Sequence, residues 1–92
     1  MHIGADAETQ IQNRIVRFIS DELGIAEHEI DPDTNLGTYG VDSVAASKLI
    51  GVLEREYDLE LSTVFVFEFP TIASLAREVG KLMPIREDEN AR

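Results

Sequence analysis

The residues in this chain best placed to do chemistry are Gly40-Val41-Asp42-Ser43-Val44, where one serine falls at the mouth of a helix that its downstream pattern predicts. Ala46 is followed by Leu49, Ile50, Leu53 and Tyr57 at offsets of 3, 4, 7 and 11, an apolar stripe of helical period. Asp42 suits the N-cap and Gly40 permits the sharp turn before it, which puts Ser43 in the first turn. From there its hydroxyl points to solvent, where unpaired amides and the helix dipole favour an anion such as a phosphodiester. A simpler reading competes: Asp42 and Ser43 do no more than cap the helix. Val44 weighs against it, because it sits about 200° around the helix from Ala46 and so presents an aliphatic side chain to water beside the serine.

The rest of the chain supplies no catalytic partner for that serine. His2 lies in the N-terminal lead-in and His28 in an acidic stretch, neither at a spacing that makes a general base for Ser43. A serine without a paired base is a poor nucleophile, which argues against a triad. Carboxylates are plentiful, but an acid/base pair needs a shaped, water-poor pocket. Ninety-two residues form one small domain with a core too thin to enclose such a pocket. The expectation is a non-catalytic protein.

Composition narrows the choice further. The chain has no cysteine, which excludes a disulfide frame, a thiolate nucleophile and a zinc-thiolate site. No apolar run approaches a membrane span, and the N-terminus lacks a signal-peptide pattern, so a cytoplasmic protein without membrane contact is expected. A net charge of −10 argues against nucleic acid and anionic lipid. Between Asp21 and Glu60 there are eleven acidic side chains (Asp21, Glu22, Glu27, Glu29, Asp31, Asp33, Asp42, Glu54, Glu56, Asp58 and Glu60) against Lys48 and Arg55. An acidic field around the serine attracts proteins with basic patches; the plainer alternative is a solvated surface that keeps the protein soluble.

The elements that must position Ser43 follow from periodicity. Residues 1–6 read as a frayed, flexible lead-in, and the domain itself as 7–84. Ile11, Ile15, Phe18, Ile19 and Leu23 predict a first helix from about Glu8 to Leu23, stopped by Gly24. Residues 25–41 form a long loop whose Ile25, Ile30 and Leu36 plug the core. The second helix spans Ser43 to Tyr57. From Leu61 to Phe69 apolar residues alternate as in a strand, yet nothing else in the chain offers a pairing partner. A short helical turn burying Val64 and Phe65 is the stronger reading. Thr71 then caps a last helix carrying Ile72, Leu75, Ala76, Val79 and Leu82, which Pro84 closes; 85–92 read as a disordered charged tail.

The loop also carries a calcium-like cadence. Asp31, Asp33 and Asn35 stand at positions 1, 3 and 5, with Tyr39 at 9 and Asp42 at 12. Leu36 occupies the position where such a loop needs glycine, Asp42 is shorter than the usual glutamate, and Pro32 is awkward at position 2. An Asx-type turn that packs Leu36 inward is the reading preferred, with no metal site.

Taken together, Gly40-Val41-Asp42-Ser43-Val44, the helix through Leu53 and Tyr57, and Phe67-Glu68-Phe69-Pro70-Thr71-Ile72 resemble an acyl carrier protein, over about Ile11 to Leu82. The resemblance implies an all-α fold, a small four-helix bundle of three main helices and a short third one, with a long loop between the first two. It also implies that Ser43, next to Asp42, carries a 4′-phosphopantetheine arm added from coenzyme A by a phosphopantetheinyl transferase. The arm's thiol holds acyl intermediates as thioesters, so a chain without cysteine can serve thiol chemistry. The family's second helix is its docking face, here presenting Val44, Ser47, Lys48, Gly51, Glu54 and Arg55 beside Asp42. Implied partners are an acyl-loading enzyme and ketosynthase- or acyltransferase-type enzymes with basic patches. A monomer is expected, because the sequence offers no second exposed apolar face.

Subtype rests on finer resemblance. Peptidyl carriers usually have histidine before the serine, so Asp42 favours an acyl carrier. Lys48 and Arg55 depart from the acid-dense second helix of fatty-acid carriers. The Phe67 to Ile72 phrase is similar to carriers of polyketide and nonribosomal assembly lines, and the expectation is a free-standing carrier of the polyketide or hybrid type. Fatty-acid and aminoacyl or peptidyl carriers remain alternatives, as does a calcium-binding or purely interacting helical module.

Overall fold

The structure is a computed structural model that describes residues 4–83. Helix α1, Gly4–Leu23, starts about four residues before the sequence-based expectation. The apolar stripe that reveals the helix begins only at Ile11, whereas the helix itself extends back through residues without such a pattern. Residues 4–6 of the expected lead-in are thus helical; 1–3, Pro84 and the tail 85–92 lie outside the described residues. Ile11, Ile15, Phe18 and Ile19 are buried, and Gly24 ends the helix with φ +74°, its amide donating to the Ser20 carbonyl at 3.0 Å.

The long loop is folded on itself. It contains two short 3₁₀ helices, Glu27–Glu29 and Leu36–Tyr39, and buries Ile30 and Leu36, with Ile25 packed at the margin of the core. The Asp33 amide donates to Asp31 Oδ1 at 2.8 Å, and the Gly37 amide to Asn35 Oδ1 at 2.8 Å. These are the Asx turns that polar residues at such spacing form. The Asp31 amide donates to the Tyr39 hydroxyl at 2.6 Å, closing the loop across eight residues. Two more backbone bonds fasten it to the start of the last helix: Leu36 N–H to the Pro70 carbonyl at 2.7 Å, and Ala73 N–H to that of Pro32 at 3.0 Å.

Helix α2, Ser43–Tyr57, buries Ala45, Ala46, Leu49, Ile50 and Leu53. It ends where Asp58 turns left-handed at φ 58°, its amide and that of Leu59 both donating to the Glu54 carbonyl. Helix α3, Val64–Glu68, settles the ambiguous segment as one helical turn, and among the described residues no strand forms. Its inward residue corrects the expectation. Val66 is buried and Phe65 packs at the edge of the core, whereas Val64 is half exposed to water. Phe65 and Phe69 meet edge to face, ring centres 5.4 Å apart.

Helix α4, Ile72–Leu82, opens with a reciprocal cap in which Thr71 Oγ1 accepts from the Ser74 amide at 3.0 Å and Ser74 Oγ from the Thr71 amide at 3.2 Å. Ile72, Leu75, Ala76 and Val79 are buried, mostly against α1, but Leu82, expected on the same stripe, is exposed. The result is the all-helical bundle with a short third helix, its core one continuous cluster from Ile11 to Val79.

Candidate functional site

The mouth of α2 is built from both sides. Upstream, the 3₁₀ turn ends at Gly40 with φ +94°, a left-handed conformation that glycine adopts at little cost, and its amide donates back into the turn. The Val41 amide reaches the Leu36 carbonyl at 3.3 Å, so the buried Leu36 anchors the approach to the helix. Downstream, Asp42 takes an extended backbone (φ −94°, ψ −172°) and its Oδ1 accepts from the Ala45 amide at 2.9 Å. The Asp42 carbonyl accepts from Ala46 at 2.8 Å. Asp42 is therefore the N-cap.

Two of the four first amides of α2 are satisfied in this way. Those of Ser43 and Val44 have no acceptor among the described residues, and they sit at the positive end of the helix dipole. Ser43 is exposed, and its hydroxyl makes no hydrogen bond within the described residues. An ester-linked phosphate at that oxygen would lie beside these two free N–H donors, so the site fits a phosphodiester. Among the described residues no hydrogen bond joins the Ser43 hydroxyl to a histidine, a carboxylate or any other base, so no paired nucleophile is assembled there.

Along α2 the other residues singled out by sequence fall into different situations. Val44 is 63% exposed, an aliphatic side chain held in water next to the serine. Ser47, Lys48 and Arg55 are exposed and Gly51 is partly so. Lys48 is not a free cation, since its ammonium lies 2.9 Å from Glu22 at the end of α1. That hydrogen bond and the Glu22 charge hold the Lys48 pKa above its ordinary 10.5. Glu54 has a structural task, accepting from the Leu61 amide at 2.8 Å and so tying the segment before α3 to α2.

Sequence reasoning passed over the outer side of α3. Val64 and Phe67, three residues apart, are both exposed, Phe67 by 66%. Placing Val66 inward would have found them, because i and i+3 share one side of a helical turn. The calcium-like donors are engaged with the loop itself: Asp31 and Asn35 accept from loop amides, the Tyr39 hydroxyl accepts from the Asp31 amide, and among the described residues no group of three or more acidic, histidine or cysteine side chains is arranged to hold an ion.

A family model described as a phosphopantetheine attachment site matches residues 13–79. The chain belongs to the phosphopantetheine-binding carrier family. In this family the prosthetic group is covalently attached 4′-phosphopantetheine. The carrier is 36% identical over 82 residues to the non-reducing polyketide synthase Dhc5 of Alternaria cinerariae, covering 89% of this chain and 4% of that protein. It is 32% identical over 73 residues to the malformin synthetase mlfA of Aspergillus tubingensis, covering 79% and 1%. The chain thus spans only a few hundredths of the length of these curated relatives. Among solved structures, a free-standing peptidyl carrier protein from an uncharacterized Acinetobacter baumannii secondary metabolic pathway superposes with a TM-score of 0.77 at 30% identity, covering 80% of this chain and 92% of that one. No helix of the described carrier is long and apolar enough to cross a membrane.

Proposed function

We propose that this carrier holds acyl intermediates as thioesters on a 4′-phosphopantetheine arm joined to Ser43, and presents them to the enzymes of a polyketide-type or hybrid pathway. The observation that carries the reading is the exposed, unbonded Ser43 hydroxyl beside two free amides at the capped mouth of α2. When bound, the group supplies the reactive thiol that the chain lacks. The chain itself orients the attachment oxygen through Asp42 and Gly40 and offers Val44, Val64 and Phe67 as apolar contact points. Within this reading the protein is a cytoplasmic, non-catalytic monomer whose domain runs from 7 to 84. Its partners are a phosphopantetheinyl transferase, a loading enzyme and ketosynthase- or acyltransferase-type enzymes, which read Val44, Ser47, Lys48, Gly51 and Arg55 on α2.

Coenzyme A and a broad-specificity phosphopantetheinyl transferase should raise the intact mass by one arm, and Ser43→Ala should abolish the gain. An unchanged mass for the unsubstituted protein refutes the proposal. The likeness to the free-standing peptidyl carrier and to malformin synthetase favours a second reading, in which the cargo is aminoacyl. Loading of the modified protein by an adenylating enzyme rather than an acyltransferase would decide for it.

A further inference from the structure

The opposite end of α2 holds a second feature that the Ser43 chemistry does not use. A groove of about 250 Å³ lies between α1 and the last turn of α2, lined by Gln10, Asn13, Arg14, Arg17, Glu56 and Tyr57. In a chain of 8 basic and 18 acidic residues, the stretch of α1 from Thr9 to Ser20 carries two arginines and no carboxylate. Arg14 is partly exposed and meets Glu56 only at 3.5 Å and through Nε, and its two terminal nitrogens form no hydrogen bond among the described residues. Arg17 is exposed and forms no ion pair among the described residues. The Tyr57 hydroxyl has no hydrogen-bond partner there, and partial burial followed by the nearby Glu56 charge keeps its proton on. Gln10 and Asn13 add amide donors, so all but one of the lining side chains can donate.

We propose that this groove docks an acidic peptide segment of a partner protein, its carboxylates on Arg14 and Arg17. Guanidinium forks three residues apart on one helix face suit separate carboxylates, each taken through paired N–H groups. Glu56 argues for a peptide rather than a compact dianion: it repels a phosphate, but accepts from a backbone N–H that a peptide brings with it. With α2 rising about 1.5 Å per residue, the groove lies roughly 20 Å from Ser43. A partner held there leaves the serine end uncovered, so a carrier can stay tethered while successive enzymes visit its arm. The binding itself does not depend on Ser43 being modified.

The test is a ¹⁵N NMR titration of the full chain, without any prosthetic group, using an acetylated and amidated peptide of alternating Glu and Asp. Saturable shifts should appear at residues 10–17 and 56–57 and not at 42–44, and Arg17→Gln should weaken binding about tenfold, as expected for one lost charge-assisted contact. Arg17 is exposed and forms no hydrogen bond or ion pair among the described residues, so this variant keeps the fold; Arg14→Gln should weaken binding as well. The proposal is overturned by absent or non-saturable shifts, by equal shifts with the Gln/Asn counterpart peptide, or by indifference to Arg17→Gln. Inorganic phosphate that reproduces the shifts at matched ionic strength would also overturn it, showing an adventitious anion site only. So would shifts at 10–17 produced without peptide by Glu87→Gln, Asp88→Gln and Glu89→Gln, which would make the chain's own carboxylates the occupant. Modification at Ser43, measured separately, keeps failure of this idea distinct from failure of the carrier reading.

Discussion

Replacing Asp42 by alanine separates what the cap does for the fold from what it does for the site. The substitution removes the Oδ1 acceptor 2.9 Å from the Ala45 amide and a negative charge at the positive end of α2. Loss of an N-cap costs about 1 kcal/mol, and loss of the favourable dipole interaction about 0.5 kcal/mol more. In a domain of this size each kcal/mol moves the melting temperature by about 4 to 8 °C, so Asp42→Ala should lower Tm by roughly 6 to 12 °C. Asp42→Asn keeps the acceptor and loses only the charge, and should lower it by roughly 2 to 4 °C. Thermal melts followed by circular dichroism read both values, and the rate of phosphopantetheine transfer to each variant reads the site. If Asp42 serves only as cap, transfer tracks stability and Asn restores both. If its carboxylate also touches the transferase, the Asn variant melts near the parent and is modified slowly. Should Asp42→Ala melt within about 1 °C of the parent, the Asp42 cap does not order the mouth of α2.

Gly51→Ala should raise stability by about 1 kcal/mol, because a Cβ there meets only the end of the Arg55 side chain at 3.6 Å and the helix gains a better former. A concurrent drop in transfer by partner enzymes would mark Gly51 as a place of close approach. Val44→Asp should leave the melt within about 0.5 kcal/mol of the parent, since the side chain is exposed, while impairing partner reactions; a matching loss of both would make Val44 part of the core. Tyr57 has its pKa raised above 10.0 chiefly by burial, so the fold prefers its neutral form. That contribution is complete below the unfolded value and disappears as pH rises through the folded one. Denaturant melts above about pH 10 should therefore show a shallower alkaline decline for Tyr57→Phe, with the Lys48–Glu22 contribution still lost in the same range.

Three of the four helices were readable because a long stripe of Ile, Leu and Val repeats with the helical period and ends in recognisable caps: Gly24 after α1, Asp42 before α2, Thr71 before α4. Helix α3 was harder for a physical reason. Five residues are too few to reveal a helical period, and the alternation from Leu61 to Phe69 imitates a strand that has nothing to pair with. Which valine faces inward is decided by the helices around it, and Val66 took the place expected of Val64. The site was legible to the extent that it is local: cap, turn glycine and exposed neighbour all lie within five residues of Ser43. Glu54 and Lys48 were not, because each is engaged by a group that only the tertiary fold brings near, the Leu61 amide and the Glu22 carboxylate.

The backbone bonds from Leu36 to Pro70 and from Ala73 to Pro32 stitch together stretches more than thirty residues apart. A short peptide copied from α2 and grafted elsewhere as a labelling tag would bring the serine and its aspartate, yet not the strap that aims them. Whatever reactivity such a tag retained would measure how much of the transferase's recognition lies in the bare helix and how much in the rigging around it.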